Sequence, residues 1–459
     1  MEWLAIIMLA TMIVGIFVGI PVSFTLIFLA LAFGVFGLGG LPAFNLTYYN
    51  LLGGLSDEIL MSIPMFIFMG YICERAGLID GLFDSLKRLL HRVPGSLYYV
   101  VILLSVLVSL ATGVVGAAVT LLGIMAAPSM MKQGYDPKLS AGVIAGGGSL
   151  IMIPPAIPLI VMAPTMNVNI IDLYAASLIP GIMIAGMYVL YCVYNVYRTP
   201  SVAPVVIEDP IDFALIRRVI LDCIPLATLI TCVLGSMLFG LATSTEAGSF
   251  GAFGALTLAT FYGKISLSKM HEALMKTVDT SAVIMLLAIA STIFGAVFTA
   301  LGGDKIIVAA LTELPIPGWA IVGAILVLCH LLGWPFEWPV VVLVFLPIFL
   351  PILVQNGVDL IWFGAALGIV LQTAYLTPPV ALTSYYLKKV VPSWDLRMIF
   401  QAMLPFMWIQ VLAVVILFLI PGIATWLPTY LKTAKTEQIH NNTQEVDFLR
   451  QLEFSINKK

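Results

Sequence analysis

The sequence predicts an all-α polytopic membrane protein built as an inverted repeat, with two re-entrant hairpins and two broken helices. Three observations lead there. First, 61% of the 459 residues are hydrophobic and only 10% are charged, where an average globular chain carries roughly 25% charged residues. A water-soluble fold of this length cannot hide so much apolar surface. Second, apolar stretches near the roughly 20 residues needed to cross a bilayer recur along the whole chain. Third, two Pro-Pro pairs lie inside such stretches, in Ser149-Leu150-Ile151-Met152-Ile153-Pro154-Pro155 and Gln372-Thr373-Ala374-Tyr375-Leu376-Thr377-Pro378-Pro379. Proline lacks the backbone N–H and its ring clashes with the preceding turn, so each span must unwind there. Unwound backbone at membrane depth is tolerated only where protein or water lines it. Paired broken spans in two halves of a chain point to the binding site of a secondary transporter.

The elements follow in order. Spans fall at 3–20, 21–39 and 56–73, with Leu4 onward expected as a span and not a cleaved signal, because no basic n-region or small-residue cleavage site precedes it. Segment 97–131 is uncharged and carries Thr112-Gly113 and Gly116 at its middle. It is too long for one crossing and too short for two. Arg75, Lys87, Arg88 and Arg92 precede it, and Lys132 and Lys138 follow it. The positive-inside rule puts both flanks in the cytoplasm, so the segment reads as a re-entrant hairpin tipped near 112–116. A broken span at 139–166 and a span at 172–197 complete the first repeat, 1–197, whose scaffold is 1–73. A polar, Pro-rich cytoplasmic linker covers 198–218.

The second repeat, 219–427, follows the same plan. Its scaffold spans are 219–241, 245–262 and 281–303. Segment 316–355 forms a second hairpin around Gly333-Trp334-Pro335-Phe336-Glu337-Trp338-Pro339, and its flanks (Asp304, Glu313 and Asp359 against Lys305) read as the outer side. A broken span at 361–387 and a last span at 400–427 follow. Gly134-Tyr135-Asp136 opens the first broken span and Gly357-Val358-Asp359 the second. Matching order and opposite flanking charge imply the inverted repeat. Loops 263–276 and 388–397 read as cytoplasmic, both termini as periplasmic, and 428–459 as a polar tail.

Tips and breaks give four places where backbone carbonyls and N–H groups are released. Carbonyl oxygens with Ser, Thr or Gln side chains suit a small hard cation such as Na⁺, and helix N-termini suit an anion. The candidates are Thr112, Gly113, Gly116 and Ser149 through Pro154 and Pro155 in the first half. In the second they are Gly333, Glu337, Gln372, Thr373, Thr377 and Pro378. Thr112, Ser149, Glu337, Gln372 and Thr377 are the expected Na⁺ ligands. Thr377 precedes the Pro-Pro pair, so its carbonyl is expected to lack its helical N–H partner. Glu337 is an acid at a hairpin tip, where a buried ionisable group is a functional candidate; the alternative is that it sits in water. No Lys or Arg lies in 97–131, 139–171 or 360–387. A bound anion would then be balanced by helix dipoles and Na⁺, coupling the two by electrostatics. Thr245 is expected to cap a helix at the Thr243-Ser244-Thr245-Glu246 turn. His330 reads as a packing residue, and Trp334 and Trp338 as interface or packing aromatics.

A formal net charge of −3 gives no sign of nucleic-acid binding. Cys73, Cys192, Cys223, Cys232 and Cys329 lack disulfide or metal spacing. Without His-Glu-x-x-His, Gly-x-Ser-x-Gly, paired intramembrane aspartates or a Walker phosphate loop, neither an intramembrane enzyme nor direct ATP use is expected, and no cofactor beyond a coupling ion.

The chain resembles the large membrane subunit of tripartite ATP-independent periplasmic (TRAP) transporters. The resemblance rests on Gly19-Ile20-Pro21-Val22, Gly134-Tyr135-Asp136, Ile153-Pro154-Pro155-Ala156-Ile157-Pro158, Thr245-Glu246-Ala247 and Leu376-Thr377-Pro378-Pro379. Leu371-Gln372-Thr373 is similar to the branch associated with 2-oxo acids, mannitol and chloroaromatic compounds, where other members have Asn-Leu-Glu. The resemblance implies a fixed scaffold, a moving domain carrying both hairpins, and Na⁺-driven uptake of an organic acid anion by an elevator motion. It also implies two partners, a small four-helix membrane subunit and a periplasmic substrate-binding protein. The first tip has fewer hydroxyls than the family's Ser-rich version, and the second has Glu337 where Asp is frequent. A self-sufficient sodium–carboxylate symporter of the same two-hairpin plan is the competing expectation.

Overall fold

The structure is a computed structural model and describes residues 2–112, 115–204, 212–263, 265–312 and 317–434. Gly113, Glu208, Asp209, Pro210, Lys264, Glu313 and the tail beyond 434 lie outside the described residues. Among the described residues all regular structure is helical. The first half holds α1 (Glu2–Phe17), α2 (Val22–Leu38), α3 (Gly40–Leu55), α4 (Glu58–Arg75), α5 (Leu78–Leu89), α6 (Ser96–Thr112), α7 (Val115–Lys132), α8 (Pro137–Gly148), α9 (Ile157–Thr165) and α10 (Ile170–Arg198). The second holds α11 (Phe213–Leu238), α12 (Ser244–Phe261), α13 (Leu267–Ala300), α14 (Gly303–Thr312), α15 (Gly318–Leu332), α16 (Trp338–Gln355, π-helical over Val341–Phe345), α17 (Leu360–Ala374), α18 (Leu382–Val390) and α19 (Leu396–Leu419). A last helix covers 422–434.

Six of these helices are each long and apolar enough to cross a bilayer, and the pair α3–α4, bent by 48°, makes a seventh. Both helices expected to break do so at the Pro-Pro pairs: α8 stops at Gly148 and α17 at Ala374. Both Pro-Pro bonds are cis. The 97–131 segment is two helices packed side by side. Its base is closed by the Tyr98 and Tyr135 rings, 4.9 Å apart. The second pair is closed at its base too, where Gly318 lies against the Asn356 side chain. One arm of each pair, α7 and α16, is among the helices long enough to cross, and the other, α6 or α15, is shorter at 17 or 15 residues.

Four expectations need correction. Helix α3 was not anticipated, because Asn45, Thr47 and Asn50 interrupt its hydropathy; Thr47 and Asn50 bond back to the Ala43 and Leu46 carbonyls. The 263–276 loop is largely the start of the 34-residue α13, capped by Ser266 and tied to α4 by the Arg75–Glu272 ion pair at 2.7 Å. The 428–459 tail begins as helix, to 434. Thr243, not Thr245, caps α12 in a reciprocal capping box with Glu246, while Thr245 donates to the Glu58 carbonyl.

Elements α5–α10 recur in order as α14–α19. Gly134 (φ 74°) and Gly357 (φ 65°) turn the chain with positive φ, which glycine adopts without strain. Asp136 and Asp359 then cap α8 and α17 through backbone N–H groups. Packing between the halves is reciprocal: α8 lies against α19 while α17 lies against α10, and α7 meets α18 while the π-helical stretch meets α9. Two glycines allow the close crossings. An added Cβ at Gly142 would stand 2.5 Å from the Ala402 carbonyl oxygen, and one at Gly364 would stand 2.6 Å from Leu173 Cδ1.

Candidate functional site

Because each hairpin packs on the other half's broken helix, both tips and both breaks converge. Between them is a cavity of about 370 Å³, within the size range of small-ligand sites. Val115 and Gly116 reach it from the first tip, Glu337, Trp338 and Pro339 from the second, Ile157 from the first break, and Tyr375 and Tyr386 from the second. The remaining wall is α13, with Asp279, Thr280, Val283 and Ile284. Gly116 lies flat on the Tyr386 ring, where a Cβ would stand 2.9 Å from Cζ. Thr280 is hydrogen-bonded to the Tyr71 hydroxyl of α4 at 3.2 Å, and the Trp338 backbone hydrogen-bonds the Tyr375 hydroxyl. Glu337 precedes α16 without a capping bond from its side chain and is exposed to the cavity. Among the described residues that line the cavity, Asp279 and Glu337 are the carboxylates, and none is Lys or Arg.

The structure thus gathers Gly116 and Glu337 and distributes the other candidates nearby. Thr112 ends α6, and its side chain lies outside the described residues, as does Gly113. Ser149 is fully buried and engaged: its hydroxyl donates to the Gly146 carbonyl at 2.7 Å and accepts from Gln410 Nε2 at 2.9 Å. Gln410 also donates to the Tyr188 hydroxyl at 2.7 Å. Pro154 and Pro155 are buried in the same break. Gly333 closes α15 against Ala374. Gln372 and Thr373 are buried in the last turn of α17, with the Thr373 hydroxyl on the Ile369 carbonyl.

Thr377 differs from expectation. Its carbonyl accepts the Ala381 N–H at 3.1 Å, because the chain turns back after Pro378 and Pro379. Its hydroxyl donates to the Thr373 carbonyl at 2.8 Å and stands 3.5 Å from His330 Nε2. A carbonyl has two lone pairs, so one such bond leaves a lone pair for a cation. Sequence reasoning missed Asp279, Thr280, Tyr375, Tyr386 and the Gln410–Tyr188 pair. Gln410, an amide within the apolar run of α19, carried a readable signal; the two tyrosines carried none.

A second cavity of about 710 Å³ lies toward the other end of α13, between Asn50 and Asp57 on one side and Pro164, Leu343 and Pro347 on the other. There Ser291 donates to the Leu343 carbonyl in the π-helical stretch.

Stacked apolar helices, two of them interrupted beside a shared cavity, define a multi-pass membrane transport protein. The chain matches the family model described as "Tripartite ATP-independent periplasmic transporter, DctM component" over residues 9–423, and it belongs to that family. It is 26% identical over 376 residues, 81% of this chain and 86% of the relative, to the C4-dicarboxylate TRAP transporter large permease protein of Pseudomonas aeruginosa. To the sialic acid TRAP transporter large permease protein of Vibrio cholerae it is 28% identical over 381 residues, 82% and 87% of the two chains. In fold it is similar to the crystal structure of the YdaH transporter of Alcanivorax borkumensis, with a TM-score of 0.62 at 17% identity, covering 85% of this chain and 90% of that one. The relatives are transporter permease subunits and not enzymes.

Proposed function

We propose that this chain is the large permease subunit of a Na⁺-coupled secondary active importer of a small organic acid anion. It works with a small four-helix membrane subunit and a periplasmic substrate-binding protein, the three-part arrangement that the family's name describes. Substrate binds in the cavity between the hairpin tips. The two helix pairs are re-entrant hairpins, and the two halves form an inverted repeat. The domain holding both hairpins and both broken helices slides along the scaffold as an elevator, between the cytoplasm and the outer face where both termini lie. The cavity touches α13 at Asp279, three residues beyond Lys276 and near the α4 end bearing Arg75. That basic end is cytoplasmic by the positive-inside rule, so the cavity faces inward.

The supporting observation is the charge of the cavity. An anion entering it meets Asp279 and Glu337 and no Lys or Arg. Two like charges about 4 Å apart repel by about 4 kcal/mol at an effective dielectric of 20, so a cation has to enter with the substrate. Na⁺ is held by carbonyls at the breaks together with Thr112, Glu337, Gln372 and Thr377. Family membership favours this reading over a self-sufficient symporter.

The test is uptake into proteoliposomes holding both membrane subunits, with the binding protein outside. Transport should need an inward Na⁺ gradient. Undiminished uptake with K⁺ replacing Na⁺, driven by protons or ATP, overturns the proposal.

A further inference from the structure

We infer that Gln410 is a positioning residue for cation binding: from α19 it fixes the end of the first broken helix, and with it the direction of the carbonyls released at the Pro154-Pro155 break. The inference rests on reading those carbonyls as Na⁺ ligands. Helix α8 lies along α19 in step, with Gly142 against Ala402 and Phe406, and Gly146 against Phe406. One turn beyond Phe406, where α8 stops, comes Gln410, and packing gives way to hydrogen bonding. Ser149, the C-cap of α8, is fully buried, as are Gln410 and Tyr188. The single hydroxyl proton of Ser149 goes to the Gly146 carbonyl at 2.7 Å, so the group facing its oxygen has to be a donor. Gln410 Nε2 is that donor at 2.9 Å, and it gives its second proton to the Tyr188 hydroxyl of α10 at 2.7 Å. The last residue of α8 is thus braced on two helices that lie outside the hairpins.

This brace adds little to folding. Without it the Ser149 hydroxyl still donates to Gly146 and the Tyr188 hydroxyl to the Phe406 carbonyl, so no buried donor is orphaned. Gln410 Oε1 is buried with no hydrogen-bond partner among the described residues, and a buried polar atom without one costs free energy. Between Met407-Trp408-Ile409 and Val411-Leu412-Ala413, a leucine would serve packing better. What the amide supplies is direction. A helix that ends inside the membrane has released the carbonyls of its last turn, and the prolines beyond cannot restore their partners. Pinning Ser149 holds that turn in one orientation, and carbonyls already in place bind a cation at a lower ordering cost.

The test uses NaCl alone as the probe. The purified complex of the two membrane subunits is melted at increasing NaCl, with choline chloride keeping the ionic strength constant. The Tm without Na⁺ reports folding. The rise of Tm with NaCl reports the site, because a ligand stabilises the fold by an amount set by its concentration relative to Kd. Gln410→Leu, and the unbranched Gln410→Met, should keep the parent's Tm without Na⁺. Both should move the rise to about fivefold higher NaCl, the effect of about one hydrogen bond. Ser149→Ala should move it similarly, and Gln410→Leu should add nothing in a Ser149→Ala background, because both cut the same link. Three results overturn the inference: an unmoved rise in both Gln410 variants, a moved rise in Ser149→Ala alone, or a lowered Na⁺-free Tm in both Gln410 variants, which would make the amide structural. Each of these leaves Na⁺ coupling standing. A parent complex that Na⁺ does not stabilise overturns the Na⁺ reading itself.

Discussion

Replacing Gly142 with alanine should weaken the joint that holds the first broken helix in place. The new Cβ would stand 2.5 Å from the Ala402 carbonyl oxygen and 2.6 Å from Phe406 Cε2. Ordinary contact begins near 3.4 Å, so α8 and α19 must separate by roughly 1 Å. Backbone cannot swing aside as a side chain can, and overpacking of this kind costs about 1–3 kcal/mol. Alanine also stabilises a helix interior relative to glycine by about 0.5–1 kcal/mol. The net expectation is a loss of up to about 2.5 kcal/mol. Gly186 in α10 has nothing within 4 Å of its Cβ position, so Gly186→Ala should show the propensity gain alone, about 0.5–1 kcal/mol in the opposite direction. Gly146 separates the causes further. The three atoms nearest its Cβ position all belong to the Phe406 side chain, so a Phe406→Ala background should relieve Gly146→Ala but not Gly142→Ala. The assay is denaturant unfolding of the detergent-purified subunit, followed by tryptophan fluorescence. Should Gly142→Ala prove as stable as Gly186→Ala, or be rescued by Phe406→Ala, the close α8–α19 crossing is refuted.

Two further predictions bear on topology and on the ion. A cysteine at Lys132 should be labelled by an impermeant reagent only from the cytoplasm and one at Asp359 only from outside; periplasmic labelling at Lys132 would mean that 97–131 is not a re-entrant hairpin. Thr377→Ala should cost about 1 kcal/mol of stability, since it removes one buried hydroxyl bond to the Thr373 carbonyl, and should raise the Na⁺ concentration for half-maximal uptake. Glu337→Gln should raise that concentration more, with expression unchanged, because the residue is exposed in the cavity and packs little. Uptake measured against Na⁺ concentration decides this: parent-like curves with reduced membrane abundance in both variants would make the residues structural.

Much of the architecture was legible because it follows from chemistry that acts locally. Proline cannot donate a backbone hydrogen bond wherever it lies, so Pro154-Pro155 and Pro378-Pro379 announced both breaks. The Gly-x-Asp openings at 134–136 and 357–359 announced both restarts. Helix α3 was missed because hydropathy scores side chains, whereas Thr47 and Asn50 satisfy themselves on their own helix. The Thr377 carbonyl was misread because a proline removes the N–H partner of the carbonyl four residues before it; Pro378 and Pro379 therefore deprive Ala374 and Tyr375, whereas Thr377 keeps its partner Ala381.

By itself, then, the sequence determined that the chain lives in a membrane and that two of its helices must break. Periodicity, composition and the geometry of proline act within a few residues and need no partner. The tertiary structure alone decided what meets at the breaks. Each hairpin crosses to the other half, bringing Gly116 to Tyr386 and Glu337 into a cavity shared with Asp279 of α13, while Ser149 turns away to Gln410. Those pairings join residues far apart in the chain. They depend on how closely whole helices can approach, which close contacts such as that of Gly142 with Ala402 settle only once the helices are packed.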